Sequence, residues 1–238
     1  MKESDHKNLF HFTKSIEVLK NILVNKEFWV CYSMESANFL KNIFDDTLEI
    51  SFAYPMVCFC DIPLERHSNH TRKYGSYGIG LKKSWAIEKG VSPVQYVPLN
   101  TDVAACWSNT ISILNRKFED PNLDMEVRDC FEQIILISSF LKSYGKGNEV
   151  FYNEREWRYF PGRELQNHNQ LFWKKEKYEI KVNEKNNGRV DALKSDYKLC
   201  FEISDISYLV VPTLEEKRLI KILLLENNLG KIKIKVLR

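Results

Sequence analysis

The amino-acid sequence predicts an α+β fold organised as a single domain. Segments with the two-residue alternation of strands and segments with the three-and-four spacing of helices occur along the whole chain, without strict strand–helix alternation. No internal repeat and no Gly/Ser- or Pro-rich linker divides the 238 residues. Apolar residues make up 44% of the chain and charged residues 28%, which are ordinary values for a globular protein with a real core.

In the first hundred residues the patterns predict four strands and two helices. The strands are 9–13, 51–60, 77–81 and 94–98, all rich in aromatic and β-branched residues. Pro55 indicates an edge or a bend in the second strand. The first helix places Ile16, Leu19, Ile22 and Leu23 on one buried face. The second runs around Lys83–Lys89 and ends at Gly90.

The remaining residues predict a helical insertion around 102–144 and then several strands. The insertion has the helices 102–117 and 125–143, and a strand over 150–160 follows it. Asn186-Asn187-Gly188 indicates a turn between two hairpin strands. A strand over 206–211 leads into a helix that Thr213 and Glu216 open with capping-box spacing. That helix ends before Gly230, and 231–236 alternates lysine with apolar residues like an edge strand.

Charge and apolar patterning exclude several classes of protein. A net charge of +3 is not that of an acidic disordered tail or a histone-like protein, and it does not by itself indicate a nucleic-acid binder. The longest apolar run, 134–141, is too short to span a bilayer, so no membrane association is expected. The polar N-terminus resembles no signal peptide, and six cysteines then indicate reduced thiols in a cytoplasmic protein.

The first candidate site residue is His11, in the predicted first strand. Alternation places its side chain on the face opposite Phe10 and Phe12. If those rings point into the core, His11 faces a cleft or solvent. Taken alone, this segment favours a surface or structural histidine.

A glycine-rich strand supplies the next candidates. In Tyr74-Gly75-Ser76-Tyr77-Gly78, continued by Gly80, the bare backbone allows close approach of another group, and the two tyrosines could stack on a flat ring. The glycine spacing is not that of a dinucleotide-binding turn. The simpler interpretation, a tight turn followed by a strand with core tyrosines, is favoured from this segment alone.

The third set of candidates is acidic. On one strand, Glu154, Glu156 and Arg158 would share a face, and two adjacent carboxylates repel unless a cation lies between them. Arg158 or a positively charged substrate could be that cation. A surface salt-bridge ladder is the alternative, but Trp157 on the opposite face favours an inner strand beside a cleft.

A zinc site is considered and not predicted. Cys58 and Cys60, with His67 and His70 downstream, are zinc-ligand residue types, but their spacing is not that of a zinc knuckle. We expect buried thiols there, no metal, and no disulfide among the six cysteines.

The order of these candidate residues along the chain resembles the order of site residues in known protein families. A histidine on a first strand, tyrosines on a glycine-rich strand and a glutamate on a later strand resemble the histidine–tyrosine–glutamate arrangement of ADP-ribosyltransferases. Glu154-x-Glu156 is similar to the ExE motif of the arginine-modifying branch, in which the second glutamate is catalytic, although that branch carries arginine where this chain has His11. The strings LFHFT, VCFCDIPL, YGSYGIGL, NEREWRYFP and DISYLVVPTLEEK resemble the AbiGi family of abortive-infection proteins over roughly residues 9–225.

These resemblances imply a function and a set of roles. The expected protein is one ADP-ribosyltransferase-like domain over 1–238, with a mixed, mostly antiparallel split sheet flanked by helices. It would transfer ADP-ribose from NAD, as substrate, to a protein or nucleic acid in phage defence, without a metal. Breaking the ribose–nicotinamide bond passes through an oxocarbenium-like transition state, which one carboxylate can stabilise. The implied roles are transition-state stabilisation by Glu156, action on the acceptor by Glu154, and NAD binding by His11, Thr13, Tyr74, Ser76 and Tyr77.

Two interpretations from other classes stay open. Some descriptions of the family carry the label antitoxin, which fits a catalytically silent regulatory module that docks a partner through the face of Glu154 and Glu156. Its partner would be a cognate toxin or a phage-derived trigger protein. The stretch 172–178 interleaves aromatics with lysines, as RNA-stacking platforms do, although an amphipathic surface segment is commoner.

Overall fold

The computed structural model describes residues 7–40, 51–118, 122, 124–162, 172–185 and 197–237. The longer strands within these residues are β1 (Asn8–Thr13), β2 (Glu27–Trp29), β3 (Cys31–Ser36), β4 (Ser51–Cys60), β5 (Tyr77–Lys82), β7 (Gln95–Val97), β8 (Leu141–Ser143), β11 (Glu156–Tyr159), β13 (Lys198–Cys200), β14 (Ile206–Val211) and β15 (Ile234–Val236). The two-residue strands are β6 (Ser92–Pro93), β9 (Gly145–Lys146), β10 (Glu149–Val150) and β12 (Trp173–Lys174). The α-helices described are α1 (Ile16–Asn25), α2 (Ser68–Tyr74), α3 (Lys83–Glu88), α4 (Asp102–Phe118), α5 (Met125–Ser138), α6 (Lys175–Lys185) and α7 (Leu214–Glu226).

A mixed, mostly antiparallel sheet forms the centre of the fold. Its strand order is β15-β14-β5-β1-β4-β11-β6. Among the strand pairs described in this sheet, β14 and β15 run parallel and the others antiparallel. The ten-residue strand β4 pairs with two strands at different places along its length. Its residues 51–56 pair with β3, whereas its pairing with β1 joins Phe10 to Cys60. Residues 57–59 of β4 lie between these two pairings. The sheet is therefore open between β1 and β3.

Strand alternation gives the sheet two apolar faces. Leu9, Ile79 and Leu209 belong to the main core cluster, and Ile220 of α7 is also part of it. The opposite face of β1 carries a smaller cluster that includes Phe10 and Phe12. Two glycines of β5 make room for these rings: a Cβ at Gly78 would lie 2.7 Å from the Phe12 ring, and one at Gly80 would lie 2.8 Å from the Phe10 ring.

Several predicted elements are confirmed with nearly the predicted bounds. They include β1, β4, β5, β14, α1 and α3. The capping box of α7 is formed, with the Thr213 hydroxyl accepting from the Glu216 N–H and the Glu216 carboxylate accepting from the Thr213 N–H. The mixed and mostly antiparallel character of the sheet is confirmed as well.

Other predicted elements are wrong. The helix predicted over 125–143 ends at Ser138, and β8 follows it. The strand predicted over 150–160 is broken, because Phe151–Glu154 form a 3-10 turn and Arg155 takes a left-handed conformation with φ of 45°. A helix, α6, occupies the position of the first hairpin strand before Asn186, and the predicted turn itself lies outside the described residues. In the described part of the chain, no helix has the length and apolar character needed to cross a membrane.

Candidate functional site

A cavity of about 590 Å³ occupies the opening between β1 and β3. Residues 56–59 of β4 form one part of its lining, and the β1 residues 10–12 form another. The polar part of the lining includes His11, Glu35, Lys142, Glu154 and Glu156. These residues come from β1, β3, β8, the 3-10 turn and β11, so the opening of the sheet brings together five separate segments.

Lys142 of β8 is the centre of an ion-pair network in this cavity. Its ammonium lies 2.8 Å from a carboxylate oxygen of Glu154, 2.8 Å from one of Glu156, and 3.6 Å from one of Glu35. The residue is only 9% exposed. A buried ammonium with three carboxylate neighbours has its charge fully compensated.

Arg158 of β11 is the second buried cation of the network. Its side chain is fully buried, and its Nε lies 2.7 Å from Glu156 while its Nη2 lies 2.9 Å from Glu35. A third nitrogen, Nη1, donates to the Ser139 carbonyl at 2.7 Å. The guanidinium therefore holds two carboxylates and the end of α5 in a fixed arrangement.

The surroundings lower the pKa of two carboxyl groups in the network and raise the pKa of the third. Burial raises the pKa of Glu156, but Arg158 and Lys142 outweigh burial and hold it well below its ordinary value. Burial also raises the pKa of Glu154, and Lys142, with hydrogen bonds from Lys73 and Tyr74, brings it below the ordinary value. For Glu35, burial exceeds the opposing effects of Arg158 and Lys142, so its pKa is raised.

A second lysine closes the network at the mouth of the cavity. Lys73 of α2 lies 2.8 Å from Glu154 and 2.7 Å from Glu149. Tyr74, the last residue of α2, donates its hydroxyl to Glu154 at 2.8 Å. The Glu154 carboxylate therefore accepts hydrogen bonds from two lysines and a tyrosine, so its charge is compensated.

His11 lines the cavity from β1, together with its neighbours Phe10 and Phe12. Its Nδ1 lies 2.9 Å from the Cys58 carbonyl oxygen, and because a carbonyl only accepts, Nδ1 carries the proton. The ring packs edge-on against Phe28 and Phe59. These contacts fix the orientation of the imidazole.

Four of the seven predicted site residues line the same cavity: His11, Tyr74, Glu154 and Glu156. The expectation that Tyr77 converges with them is wrong. Tyr77 begins β5, on the far side of β1 from β11, and its hydroxyl donates to Glu216 of α7.

Two further predicted residues lie outside the cavity as well. Among the described residues that line it, neither Thr13 nor Ser76 appears, and the Thr13 hydroxyl instead accepts weakly from the Ser15 N–H at 3.5 Å. The idea that Glu154 and Glu156 share one strand face is also wrong, since Glu154 belongs to the 3-10 turn. Lys142 nevertheless brings both carboxylates within 2.8 Å of one nitrogen.

Sequence patterns missed the residues that organise the site. Lys142 lies in a segment whose apolar spacing predicted a continuing helix, and Glu35 lies in β3, which was not predicted. Lys73 belongs to the short helix α2, also not predicted. None of the three carries a local motif, so only long-range contacts identify them.

The cysteines considered as zinc ligands and the aromatic residues considered as an RNA-binding platform lie in packed surroundings. Burial raises the pKa of the Cys58 and Cys60 thiols, and none of the six cysteines, which all lie in described segments, forms a disulfide. The described part of the chain contains no group of three or more His, Cys, Asp or Glu side chains placed to hold a metal ion. Trp173 is buried and stacks on Tyr32 at 3.7 Å, so it is not an exposed platform for an RNA base.

Comparison with known proteins identifies relatives of this chain. Residues 26–212 match a family described as "Putative abortive phage resistance protein AbiGi, antitoxin". A curated protein of Lactococcus lactis subsp. cremoris, named abortive phage resistance protein AbiGi, is 28% identical, with 77% of this chain and 81% of that protein covered. No solved structure matches the chain.

Proposed function

This chain belongs to the AbiGi family of abortive phage resistance proteins, and we propose that it acts in phage defence as an antitoxin, by binding a cognate toxin rather than by catalysis. In this proposal it works in the cytoplasm, where its six thiols stay reduced. The description of the matched family supports the proposal directly. The chemistry of the cavity supports it independently.

The observation that carries the proposal is the neutralisation of Glu154 and Glu156. A carboxylate stabilises a cationic, oxocarbenium-like transition state through its negative charge, and a cation beside that carboxylate weakens the effect. Here Lys142 lies 2.8 Å from both carboxylates, and Arg158 lies 2.7 Å from Glu156. A positive charge developing about 4 Å from the Lys142 ammonium would be opposed by about 4 kcal/mol at an effective dielectric constant of about 20. The arrangement favours a stable scaffold over a catalytic centre.

A genetic experiment tests the proposal by showing whether loss of this gene makes the locus more toxic or less toxic to the cell. The native locus is cloned under an inducible promoter, complete and with this gene deleted, and colonies are counted after induction. An antitoxin protects the cell, so the deletion should lower colony counts by at least about a hundredfold. Supplying this chain from a second plasmid should restore them.

The opposite result would reject the antitoxin proposal. If the deletion is harmless and the chain alone lowers colony counts, the chain is the toxic component. A catalytic role would then follow if Glu156→Gln, in a protein that still folds, removes the toxicity.

A second candidate function is ADP-ribosyl transfer from NAD, and one observation favours it. His11, Tyr74, Glu154 and Glu156 line a single cavity where the sheet opens. In this candidate, NAD would bind there as substrate, the ion pairs of Glu156 would rearrange on binding, and Glu154 would act on a protein or nucleic-acid acceptor.

Nicotinamide release by the purified chain tests the second candidate. Glu156→Gln should lower release by about two orders of magnitude or more, the scale for losing one electrostatic stabiliser. Glu154→Gln should alter transfer to an acceptor more than NAD hydrolysis. Glu149→Gln is the matched control, because Glu149 is exposed, pairs with Lys73 and does not line the cavity. Equal release by wild type and Glu156→Gln would reject this mechanism.

A further inference from the structure

The outward face of α7 combines large exposed apolar side chains with cations. Leu214 is 67% exposed, Ile222 50% and Leu225 76%. Arg218 and Lys221 are exposed on the same face. At about 100° per residue, these five residues fall within an arc of about 100°. Large exposed apolar side chains that lie together on one surface, with charged residues among them, mark interaction sites.

The rest of α7 is firmly packed, so this face is presented rigidly. Ile220 and Leu224, on the opposite side, are 0% and 4% exposed. The capping box fixes the first turn, and Tyr77 of β5 donates to its Glu216. Exposure of Leu214 and Leu225 therefore does not arise from a loosely attached helix.

The spacing on this face matches a helix–helix seam. Leu214, Arg218, Lys221 and Leu225 follow one another at four, three and four residues, as seam positions do when two helices pack side by side. Two leucines close the ends of the seam and two cations lie between them. Neither Arg218 nor Lys221 forms an ion pair with another residue in the described part of the chain.

We propose that this face of α7 is the docking surface for the cognate toxin, through an amphipathic helix of that partner with carboxylates between apolar anchors. The inference rests on the proposed antitoxin function. Carboxylates facing Arg218 and Lys221 complement the two unpaired cations, and apolar anchors cover Leu214 and Leu225. The surface lies beyond residues 26–212, so it is not among the features that match the family.

Charge disfavours a second copy of this chain as the occupant. In an antiparallel pair Leu214 would face Leu225, and Arg218 would face Lys221 of the other copy. A parallel pair would also bring four cations together in the seam. Like charges facing one another in an interface act against that pairing.

A lipid surface fits the distribution of charge poorly. A helix that lies on a membrane keeps its cations on the polar face, away from the apolar one. Here Arg218 and Lys221 lie inside the apolar arc, and Glu215 and Glu226 border it. Embedding the arc in lipid would bury both cations.

The experiment uses the gene-deleted locus supplied with variants of this chain. Arg218→Glu/Lys221→Glu reverses the charge of the seam, and Leu225→Glu places a charge in its apolar end. Each should lower the recovery of colonies at least about tenfold. Lys174→Glu/Lys175→Glu is matched in net charge, and Ile180→Glu alters an apolar residue that is 58% exposed on α6. Both controls should protect as well as wild type.

Each outcome decides for or against the docking surface. Circular dichroism and thermal unfolding show whether each variant is folded. Because Arg218 and Lys221 point outward, Arg218→Glu/Lys221→Glu should stay folded and still test the docking surface even if Leu225→Glu unfolds. Protection by the folded α7 variants equal to wild type would overturn the inference while the antitoxin function stands. Failure of wild type itself to protect would remove both. Binding of wild type to phosphatidylglycerol vesicles that the charge reversal abolishes, or a dimer in sedimentation velocity that Leu225→Glu dissociates, would assign the face to lipid or to a second copy instead.

Discussion

Replacing Lys142 by methionine should destabilise the protein far more than a lysine substitution usually does. The ammonium is the shared partner of Glu154 and Glu156 at 2.8 Å, and the residue is only 9% exposed. Methionine keeps most of the side-chain volume but removes the cation that the two carboxylates share, which leaves Glu156 to Arg158 alone and Glu154 to Lys73 and Tyr74. Breaking a buried ion pair in this way costs about 3–5 kcal/mol.

The cost should depend on pH in a defined direction. The folded protein holds the pKa values of Glu154 and Glu156 below the ordinary value of 4.5. Their stabilising contribution in wild type is therefore present above pH 4.5 and is lost as the pH falls through the folded values. Without Lys142 these carboxyls take up protons more readily, so the difference between variant and wild type should shrink from pH 7 to pH 4.

Urea unfolding followed by tryptophan fluorescence measures the free energy of unfolding of each variant. Lys26→Met is the matched control, because Lys26 pairs with Glu202 at 3.0 Å with its side chain 41% exposed, and such pairs contribute about 0–1 kcal/mol. Adding Glu154→Gln to Lys142→Met removes one of the two carboxylates that Lys142 had compensated, and it should recover part of the loss. A cost for Lys142→Met below about 1 kcal/mol, or a difference that grows on acidification, would refute this account of the network.

Three further changes test contacts elsewhere in the fold. Gly78→Val should cost about 1–3 kcal/mol, because its Cβ would lie 2.7 Å from the Phe12 ring; a thermal unfolding midpoint equal to wild type would contradict this. Tyr77→Phe should cost about 1 kcal/mol by removing the hydrogen bond to Glu216, measured by urea unfolding, and no loss would mean that this bond is not formed in solution. Thr213→Ala should cost about 1 kcal/mol by removing the cap of α7, whereas Thr213→Ser should restore it.

Local patterns were sufficient for the elements whose residues alternate or repeat clearly. The alternation in β1 predicted that His11 and Phe10 point to opposite faces. His11 packs against Phe28 and Phe59 of the main core cluster, whereas Phe10 belongs to the cluster on the other face. The capping box at Thr213 needed only two residues three apart. Such signals depend on a few neighbouring residues, so the sequence alone expresses them.

The rest of the site depends on contacts between distant segments. The apolar spacing through residues 134–141 predicted an unbroken helix, but the chain turns after Ser138 and β8 pairs with β7, which places Lys142 beside Glu154 and Glu156. Arg155 in a left-handed conformation interrupts the predicted strand. The tertiary ion pairs of Lys142, rather than any local preference, determine where the two glutamates meet.

The central claim, that this AbiGi-family chain protects its host by binding a partner, depends most directly on one count of surviving cells. Cells carrying the induced locus without this gene are compared with cells to which the chain is supplied in trans. We expect at least about a hundredfold more colonies when the chain is present, and the same protection by the control variant Glu149→Gln. Equal survival with and without the chain, or fewer colonies with it, would contradict the claim.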